Sequence, residues 1–123
     1  MPTVADVMTP FLQTVRLGES IAAVRDAMAE QGVHAVPIVD GYGELCGIVS
    51  TADLVEGWSP SQPVEQIMTR NVKTVESSAE VTSAAYAMLD AGIHHLVVAD
   101  GASLVGMLSS WDLLRCLADL ARR

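Results

Sequence analysis

Apolar residues recur along the chain with helical and strand periods, and the same succession of periods occurs twice. In the first half, Ile21, Val24 and Met28 have the spacing of one helix face, and Gly32 stands where a left-handed glycine would end that helix. The second half has the equivalent face at Val81, Ala84, Ala85 and Met88, with Gly92 as the stop. The pattern therefore predicts one amphipathic helix in each half.

Each predicted helix is followed by two short apolar runs. The runs are Ala35–Val39 and Leu45–Val49 in the first half, and Leu96–Ala99 and Leu104–Leu108 in the second. An Asp-Gly dipeptide separates the runs of each pair, which predicts a hairpin. A short strand is also predicted around Gln13–Val15 and Lys73–Val75, and a closing helix near Ser50 and Ser109.

The two halves are copies of one unit. Val4–Thr9 aligns with Val64–Thr69 at an offset of 60 (64 minus 4), and Leu45–Ser50 aligns with Leu104–Ser109 at 59 (104 minus 45). The single shift falls in a Gly-rich turn, as expected of a duplication. We predict an α/β (α+β) fold of two β-α-β-β-α repeats, residues 1–58 and 64–123, joined by a linker at 59–63 and packed with pseudo-two-fold symmetry.

Composition limits the range of partners. With 123 residues and 50% hydrophobic residues, the chain fits one compact domain or two small halves that share a core. Seven Lys and Arg against fifteen Asp and Glu give a net charge of −8. Nucleic acids and anionic lipids are poor partners for such a chain, because both bind through clustered cations.

Several other classes of protein are disfavoured by missing motifs. Cys46 and Cys116 belong to no metal or redox motif, and are expected to be small buried apolar residues. The chain lacks a nucleophile elbow, a P-loop and a zinc signature, so we expect no enzyme, no catalytic or metal-binding residue and no cofactor. It also lacks a membrane-length apolar run and the features of a signal peptide, which favours a soluble cytoplasmic protein or a soluble fragment of a larger one.

A Ser-x-x-Asp pair follows the last predicted strand of each repeat, as Ser50 with Asp53 and Ser109 with Asp112. At a strand-to-helix corner, the carboxylate can accept hydrogen bonds from both ribose hydroxyls, and the serine can donate to ribose or phosphate. The same spacing is also a helix capping box that needs no ligand. From the spacing alone, both interpretations stay open.

The first strand of each repeat carries a Thr-Val pair, Thr14-Val15 and Thr74-Val75. Backbone amides and a threonine hydroxyl can contact an adenine edge while aliphatic side chains cover the ring. The alternative is that these are ordinary strand residues, and for the valines that alternative is favoured.

Three motifs, in the same order in both halves, resemble the CBS (cystathionine beta-synthase) domain. In the first half they are Val4–Pro10, Gly32–Asp40 and Gly47–Leu54. The resemblance covers nearly the whole chain and implies a tandem CBS pair, or Bateman module. Such modules are regulatory and non-catalytic. They bind AMP, ADP, ATP or S-adenosylmethionine between the repeats, often form homodimers, and regulate an attached or partner protein.

The resemblance extends to histidines that follow the first helix of each repeat. In nucleotide-sensing relatives, such as the gamma subunit of AMP-activated kinase, a His-Arg pair there reaches the phosphates. This chain has His34-Ala35 and His94-His95. A capping or solvated role is the alternative for His34.

The chain also departs from the family pattern. Ala52 and Trp111 stand where many members have a hydroxyl residue before the aspartate. We expect Trp111 to pack in the core or at an interface rather than stack on a base.

Together these observations predict a regulatory module with an adenosine-containing ligand as effector. An AMP-like ligand is favoured because net negative charge and few cations disfavour a polyphosphate. The alternative is a ligand-free scaffold for dimerisation or partner docking. The predicted ligand-binding residues are Thr14, Val15, His34, Val36, Pro37, Ser50, Asp53, Thr74, Val75, His94, His95, Leu96, Val97, Ser109 and Asp112.

The closing helix of the second repeat predicts self-association. Leu113, Leu114, Leu117 and Leu120 form an apolar stripe that two small layers have little room to bury. We expect a homodimer formed through helices, and the alternative is a thick core within one chain.

Overall fold

The computed structural model of the chain describes residues 1–10, 13–55 and 57–122. In chain order, its helices are α1 (Val4–Val7), α2 (Ile21–Gln31), α3 (Val81–Ala91) and α4 (Ser110–Ala121), and its strands are β1 (Thr9–Pro10), β2 (Val15–Arg16), β3 (Ala35–Val39), β4 (Leu45–Ser50), β5 (Thr74–Val75), β6 (His95–Asp100) and β7 (Ser103–Ser109). Short 3-10 helices cover Thr51–Leu54 and Val64–Gln66. The predicted α+β fold of two repeats is confirmed.

The chain divides into two compact units. We call Gln13–Val72 the continuous unit, and Met1–Leu12 together with Lys73–Arg123 the split unit. Each unit holds the strands and the long helix of one repeat. The opening segment of each repeat, by contrast, lies in the unit that holds the strands of the other repeat.

The continuous unit has a three-stranded sheet in the order β2-β3-β4. β3 and β4 form the predicted antiparallel hairpin, and β2 runs parallel to β3. The helix α2 covers this sheet with its predicted buried face and ends at Gly32, whose φ of 67° is left-handed. The core cluster consists of Val15, Val24, Met28, Val36, Ile38, Val49, Val64 and Met68.

The split unit has a four-stranded sheet in the order β1-β7-β6-β5. The chain's first strand, β1, pairs antiparallel with its last, with Thr9 opposite Met107. The helix α3 ends at Gly92, again in the left-handed conformation. The core cluster consists of Val4, Ala84, Met88, Leu96, Val98 and Leu108.

The closing helix of the first repeat is much shorter than the pattern suggested. It begins after Ser50, as predicted, but consists of one 3-10 turn, Thr51–Leu54, whereas α4 has twelve residues. Gly57 has a left-handed φ of 89°, and the Trp58 Nε1 donates to the Leu54 carbonyl at 3.0 Å. These features end the helix early, and α4 contains no glycine or proline that would do the same.

The expected burial of the two cysteines was wrong, and of the two places expected for Trp111 the structure excludes the core. Cys46 and Cys116 are free thiols but only half-buried. Cys46 lies at the margin of the core cluster of the continuous unit, and Cys116 lines a pocket of the split unit. Trp111 is 67% exposed, so it does not pack in the core of the chain. Its position on the outer side of α4 explains the exposure, and a contact with a second chain stays a prediction.

Candidate functional site

The clearest candidate site is the corner of the split unit where β7 passes into α4. Ser109 ends the strand, and Asp112 occupies the third position of the helix. Asp112 Oδ2 accepts hydrogen bonds from the Ser109 amide at 2.8 Å and from its hydroxyl at 3.0 Å. In return, the Asp112 amide donates to Ser109 Oγ at 3.1 Å. The capping box that the spacing allowed is therefore present.

The cap uses one of the two carboxylate oxygens of Asp112. Among the described residues, Oδ1 has one polar partner, the guanidinium of Arg115 at 3.7 Å. Asp112 is only 8% exposed, and it is the one buried charged side chain among the described residues. A buried carboxylate that is held in place with one oxygen outside the cap is suited to accept hydrogen bonds from a diol.

His94 lies at the same corner. Its carbonyl accepts from the Ser110 amide at 2.9 Å, and its Nδ1 is 3.4 Å from the Ser110 hydroxyl. The imidazole is exposed, so it can contact a ligand at the start of α4. His95, the next residue, is opposite Ser109 in the sheet.

The sheet aligns the remaining candidates of this repeat on neighbouring strands. Thr74 pairs with Val97, and Val75 pairs with Val98. The Leu96 side chain lies in the core cluster, so only its backbone can contact a ligand. Val97 is fully buried on the opposite face of the sheet from Leu96, because successive residues of a strand alternate. Thr74 is exposed at the edge strand.

The continuous unit has an equivalent but weaker corner. The Ser50 amide and hydroxyl donate to Asp53 Oδ2 at 2.9 and 3.3 Å, and the Thr51 amide donates to the His34 carbonyl at 3.0 Å. Asp53 is half-buried rather than buried, and the helix behind it is one turn long. This corner is therefore held less firmly than the one at Asp112.

The other candidates of the first repeat fall into two groups. Thr14 and His34 are exposed, as a contact with ligand requires. Val15 and Val36 belong to the core cluster, and Pro37 is fully buried. For these three residues, packing explains their apolar character without a ligand.

Two residues at the Asp112 corner were not among the predicted site residues. Ser110 joins the start of α4 to His94, and Arg115 pairs with Asp112. The Asp-x-x-Arg spacing of Asp112 and Arg115 was a usable signal, because residues three apart on a helix are neighbours. Among the described residues, no group of three or more His, Cys, Asp and Glu side chains could hold a metal ion.

These features define a tandem-repeat α+β protein with a carboxylate at the strand-to-helix corner of each repeat. The CBS domain family model matches residues 4–59 and 64–119. The chain belongs to the CBS domain family.

Curated relatives show this unit both in a short protein and as part of longer ones. The "Uncharacterized 17.7 kDa protein in bps2 3′ region" of Acidianus ambivalens is 31% identical over 121 residues, which are 95% of this chain and 74% of that protein. The homoserine O-acetyltransferase of Methanococcoides burtonii is 34% identical over 117 residues, which are 94% of this chain but 24% of that enzyme. The chain thus spans about a quarter of that enzyme and of the similar YtoI protein of Bacillus subtilis, where the coverage is 26%.

Two similar solved structures contain adenosine compounds. The CBS domain pair of protein MJ0100, in complex with 5′-methylthioadenosine and S-adenosyl-L-methionine, has a TM-score of 0.89 and 27% identity, covering 97% of this chain and 98% of that one. CBSX2 in complex with AMP has a TM-score of 0.83 and 25% identity, covering 98% and 99%. In the part of this chain that the structure describes, every helix is too short or too polar to cross a membrane.

Proposed function

We propose that this chain is a regulatory module that binds an adenosine-containing ligand at its strand-to-helix corners. The observation that carries the proposal is the buried Asp112 carboxylate, whose Oδ1 lies outside the capping box. The adenosine compounds bound by two similar CBS pairs support this choice of ligand. The proposed role is regulation of an attached or partner protein, with no catalytic step in the module itself.

In this proposal, Asp112 accepts hydrogen bonds from the ribose hydroxyls, and Ser109 fixes the carboxylate. His94 and the start of α4 face the phosphate. Helix N-termini favour anions, because their unpaired amides point outward. Asp53 and Ser50 have the same roles in the continuous unit, where the less buried carboxylate predicts weaker binding.

We favour an AMP-like ligand over a polyphosphate. Arg115, the cation at the Asp112 corner, is already paired with that carboxylate. In the continuous unit, the Arg70 guanidinium donates to the Glu65 carbonyl at 3.4 Å. The net charge of −8 adds repulsion for each further phosphate.

The direct test is thermal unfolding with AMP, ADP, ATP, S-adenosylmethionine and NADH. A ligand at a hundred times its Kd adds about 2.7 kcal/mol to the free energy of unfolding, which raises the Tm of a chain of this size by about 10 °C. We expect this rise with AMP. If none of the five compounds raises the Tm, the ligand-free scaffold is favoured.

The matched variants are Asp112→Asn, Asp53→Asn and Asp90→Asn. Asparagine keeps an oxygen for the cap and removes the charge, so the fold is preserved. Asp112→Asn should remove most of the AMP-induced rise and Asp53→Asn less, while Asp90→Asn, an exposed position on α3, should leave it unchanged. If both corner variants keep the full rise, the assignment of the ribose contact is wrong.

A homodimer and a cytoplasmic location are further parts of this proposal. The homodimer is supported by the exposed apolar side chains of the helices. Leu114 and Leu117 on α4 are 58% and 64% exposed, and Leu89 on α3 is 74% exposed. Exposed apolar side chains in such number are typical of protein interfaces.

A further inference from the structure

Arg115 pairs with the same carboxylate oxygen that the ribose contact requires. Its guanidinium Nη2 lies 3.7 Å from Asp112 Oδ1, the oxygen that the capping box leaves outside. That distance is longer than a hydrogen bond, so the two groups attract each other as charges without a fixed geometry. Among the described residues, this ion pair is the one polar contact of the Arg115 side chain. The N–H donors of the guanidinium are therefore available to a ligand.

The fold brings this guanidinium to the start of α4. Arg115 is three positions after Asp112, so the two residues are neighbours on the helix. Side chains of a helix lean towards its N-terminus, and arginine is long enough to reach back by about one turn. Ser110 and His94 lie at that same end of α4. Because the Arg115 side chain is 62% exposed, it is free to turn from Asp112 towards a group bound there.

The other described lysine and arginine side chains of the split unit lie further from this corner. Arg122 stands seven positions after Arg115 (122 minus 115), which is about two turns along α4. Lys73 directly precedes β5, and β6 separates β5 from β7. Arg115 is therefore the cation of this unit that is placed to act on a ligand at Asp112.

The cation is a feature of the second repeat alone. At the offset of 59 positions, Asp112 corresponds to Asp53, whereas Arg115 corresponds to Glu56 in the sequence of the first repeat. The aspartate is thus common to both repeats, and the positive charge three positions later is not. Since the duplicated fold does not require Arg115, its charge points to a task at the Asp112 corner.

A nucleotide offers a partner to each member of the ion pair. Its ribose hydroxyls can donate to Asp112 Oδ1 in place of the guanidinium, and its 5′-phosphate can accept from Arg115. Arginine and phosphate form charge-assisted, often bidentate hydrogen bonds, which are stronger than the ion pair of an exposed side chain. Adenosine without a phosphate satisfies Asp112 but leaves Arg115 without an anion. The positive sulfonium of S-adenosylmethionine is repelled by the guanidinium.

We propose that Arg115 selects a 5′-phosphorylated nucleoside over an unphosphorylated or sulfonium-bearing one at the Asp112 corner. On binding, its guanidinium exchanges Asp112 Oδ1 for the phosphate of the ligand, and the ribose hydroxyls take its place. The inference rests on the proposed function and assigns the choice among adenosine compounds to one side chain. Similar CBS pairs differ in that choice, since one is in complex with AMP and another with 5′-methylthioadenosine and S-adenosyl-L-methionine.

The test is isothermal titration calorimetry of the full chain with AMP and with adenosine, which differ only in the phosphate. The wild-type chain should bind AMP at least about 10-fold more tightly than adenosine, as expected when a charge-assisted hydrogen bond is gained. Arg115→Gln should raise the Kd for AMP by about the same factor and leave the Kd for adenosine unchanged. The same variant should bind S-adenosylmethionine more tightly than the wild-type chain does.

Two further variants serve as controls. Arg122→Gln removes the same charge from an exposed position at the other end of α4 and should change neither Kd. Arg115→Lys keeps the charge but loses the planar fork, so it should keep part of the preference for AMP. Circular dichroism and the Tm without added nucleotide check that the variants fold.

The outcomes separate this inference from the function on which it rests. If neither AMP nor adenosine binds to the wild-type chain, both proposals fail. If Asp112→Asn loses AMP binding but Arg115→Gln weakens AMP and adenosine equally, or weakens neither, the proposed function stands and the selective role of Arg115 is wrong. An equal loss of AMP binding in Arg115→Gln and Arg122→Gln would indicate a general effect of net charge and would also overturn the inference.

Discussion

At the scale of single residues, Gly47 and Gly106 occupy the same position of the two repeats. They show how closely the last strand of each unit approaches the Met-Thr segment beside it. A Cβ atom on Gly106 would lie 2.6 Å from Met8 Sδ and 2.8 Å from the Thr9 carbonyl oxygen. A Cβ atom on Gly47 would meet Met68 Sδ at 2.5 Å. The glycine of each repeat is thus explained by packing against the Met-Thr motif within the same unit.

Gly106→Ala should lower the free energy of unfolding by about 1–3 kcal/mol, the usual cost of overpacking, because the Thr9 backbone has little freedom to move away. Urea unfolding measures the change. The matched control is Gly41→Ala, where a Cβ would have no atom within 4 Å, and there the change should stay within about 0.5 kcal/mol. Equal effects at both positions would contradict the close approach.

At the scale of elements, Asp40 and Asp100 occupy the same position of the two repeats, at the offset of 60, but make different contacts. Asp40 stays within its own hairpin, where Oδ1 accepts from the amides of Tyr42 and Glu44 at 2.8 and 3.0 Å. Asp100 instead joins the end of β6 to the turn between β5 and α3. It accepts from the Ser77 hydroxyl at 2.6 Å and from the Ser77 amide at 2.9 Å.

The Ser77–Asp100 contact should make stability depend on pH in the acid range. The hydrogen bonds from the Ser77 hydroxyl and amide lower the pKa of Asp100 below its ordinary value of 3.8. The folded state therefore favours the ionised carboxylate, and this stabilisation is present above about pH 4 and is lost as the pH falls through the lowered pKa.

Accordingly, Ser77→Ala should reduce the free energy of unfolding at neutral pH, and the difference from wild type should shrink as the solution is made strongly acidic. Urea unfolding at neutral pH and at a series of pH values that descends below the ordinary pKa of 3.8 measures this. The neighbouring exposed Ser78→Ala is the control and should show no such pH dependence. A difference that is the same at every pH would refute the role of the carboxylate charge.

At the scale of the whole molecule, the split unit is assembled from both ends of the chain. The Val4 amide donates to the Ala79 carbonyl at 2.8 Å, and the Val81 amide donates to the Pro2 carbonyl at 3.1 Å. The Val4 side chain is fully buried in the core cluster of that unit. The first ten residues are therefore a structural part of the unit that holds the second repeat's strands.

Val4→Ala should cost about 2 kcal/mol through lost burial and the cavity left behind. Hydrogen exchange should show lower protection in β6 and β7, with a smaller change in β3 and β4. Val55→Ala, at a 76% exposed position, is the matched control. A uniform loss of protection in both units would contradict the assignment of the N-terminal segment to one of them.

The sequence by itself determined the duplication, the β-α-β-β-α order within each repeat, the glycines that end α2 and α3, and the Ser-Asp pairs at the corners. These features depend on local periodicity, capping and turn chemistry, which neighbouring residues dictate. It did not predict α1 and β1, which precede that order in the first repeat. It did not show which oxygen of Asp112 lies outside the cap, because that depends on how strand, helix and Arg115 meet in space.

Only the tertiary structure decided that β1 pairs with β7, that Trp111 is exposed, and that the closing helix of the first repeat ends after Leu54. Strand pairs distant in the chain form when their burial offsets the entropy of closing a long loop, and no local pattern encodes that balance. Likewise, the spacing of an apolar stripe does not reveal which of its members face the core. That choice is made by the elements packed around it.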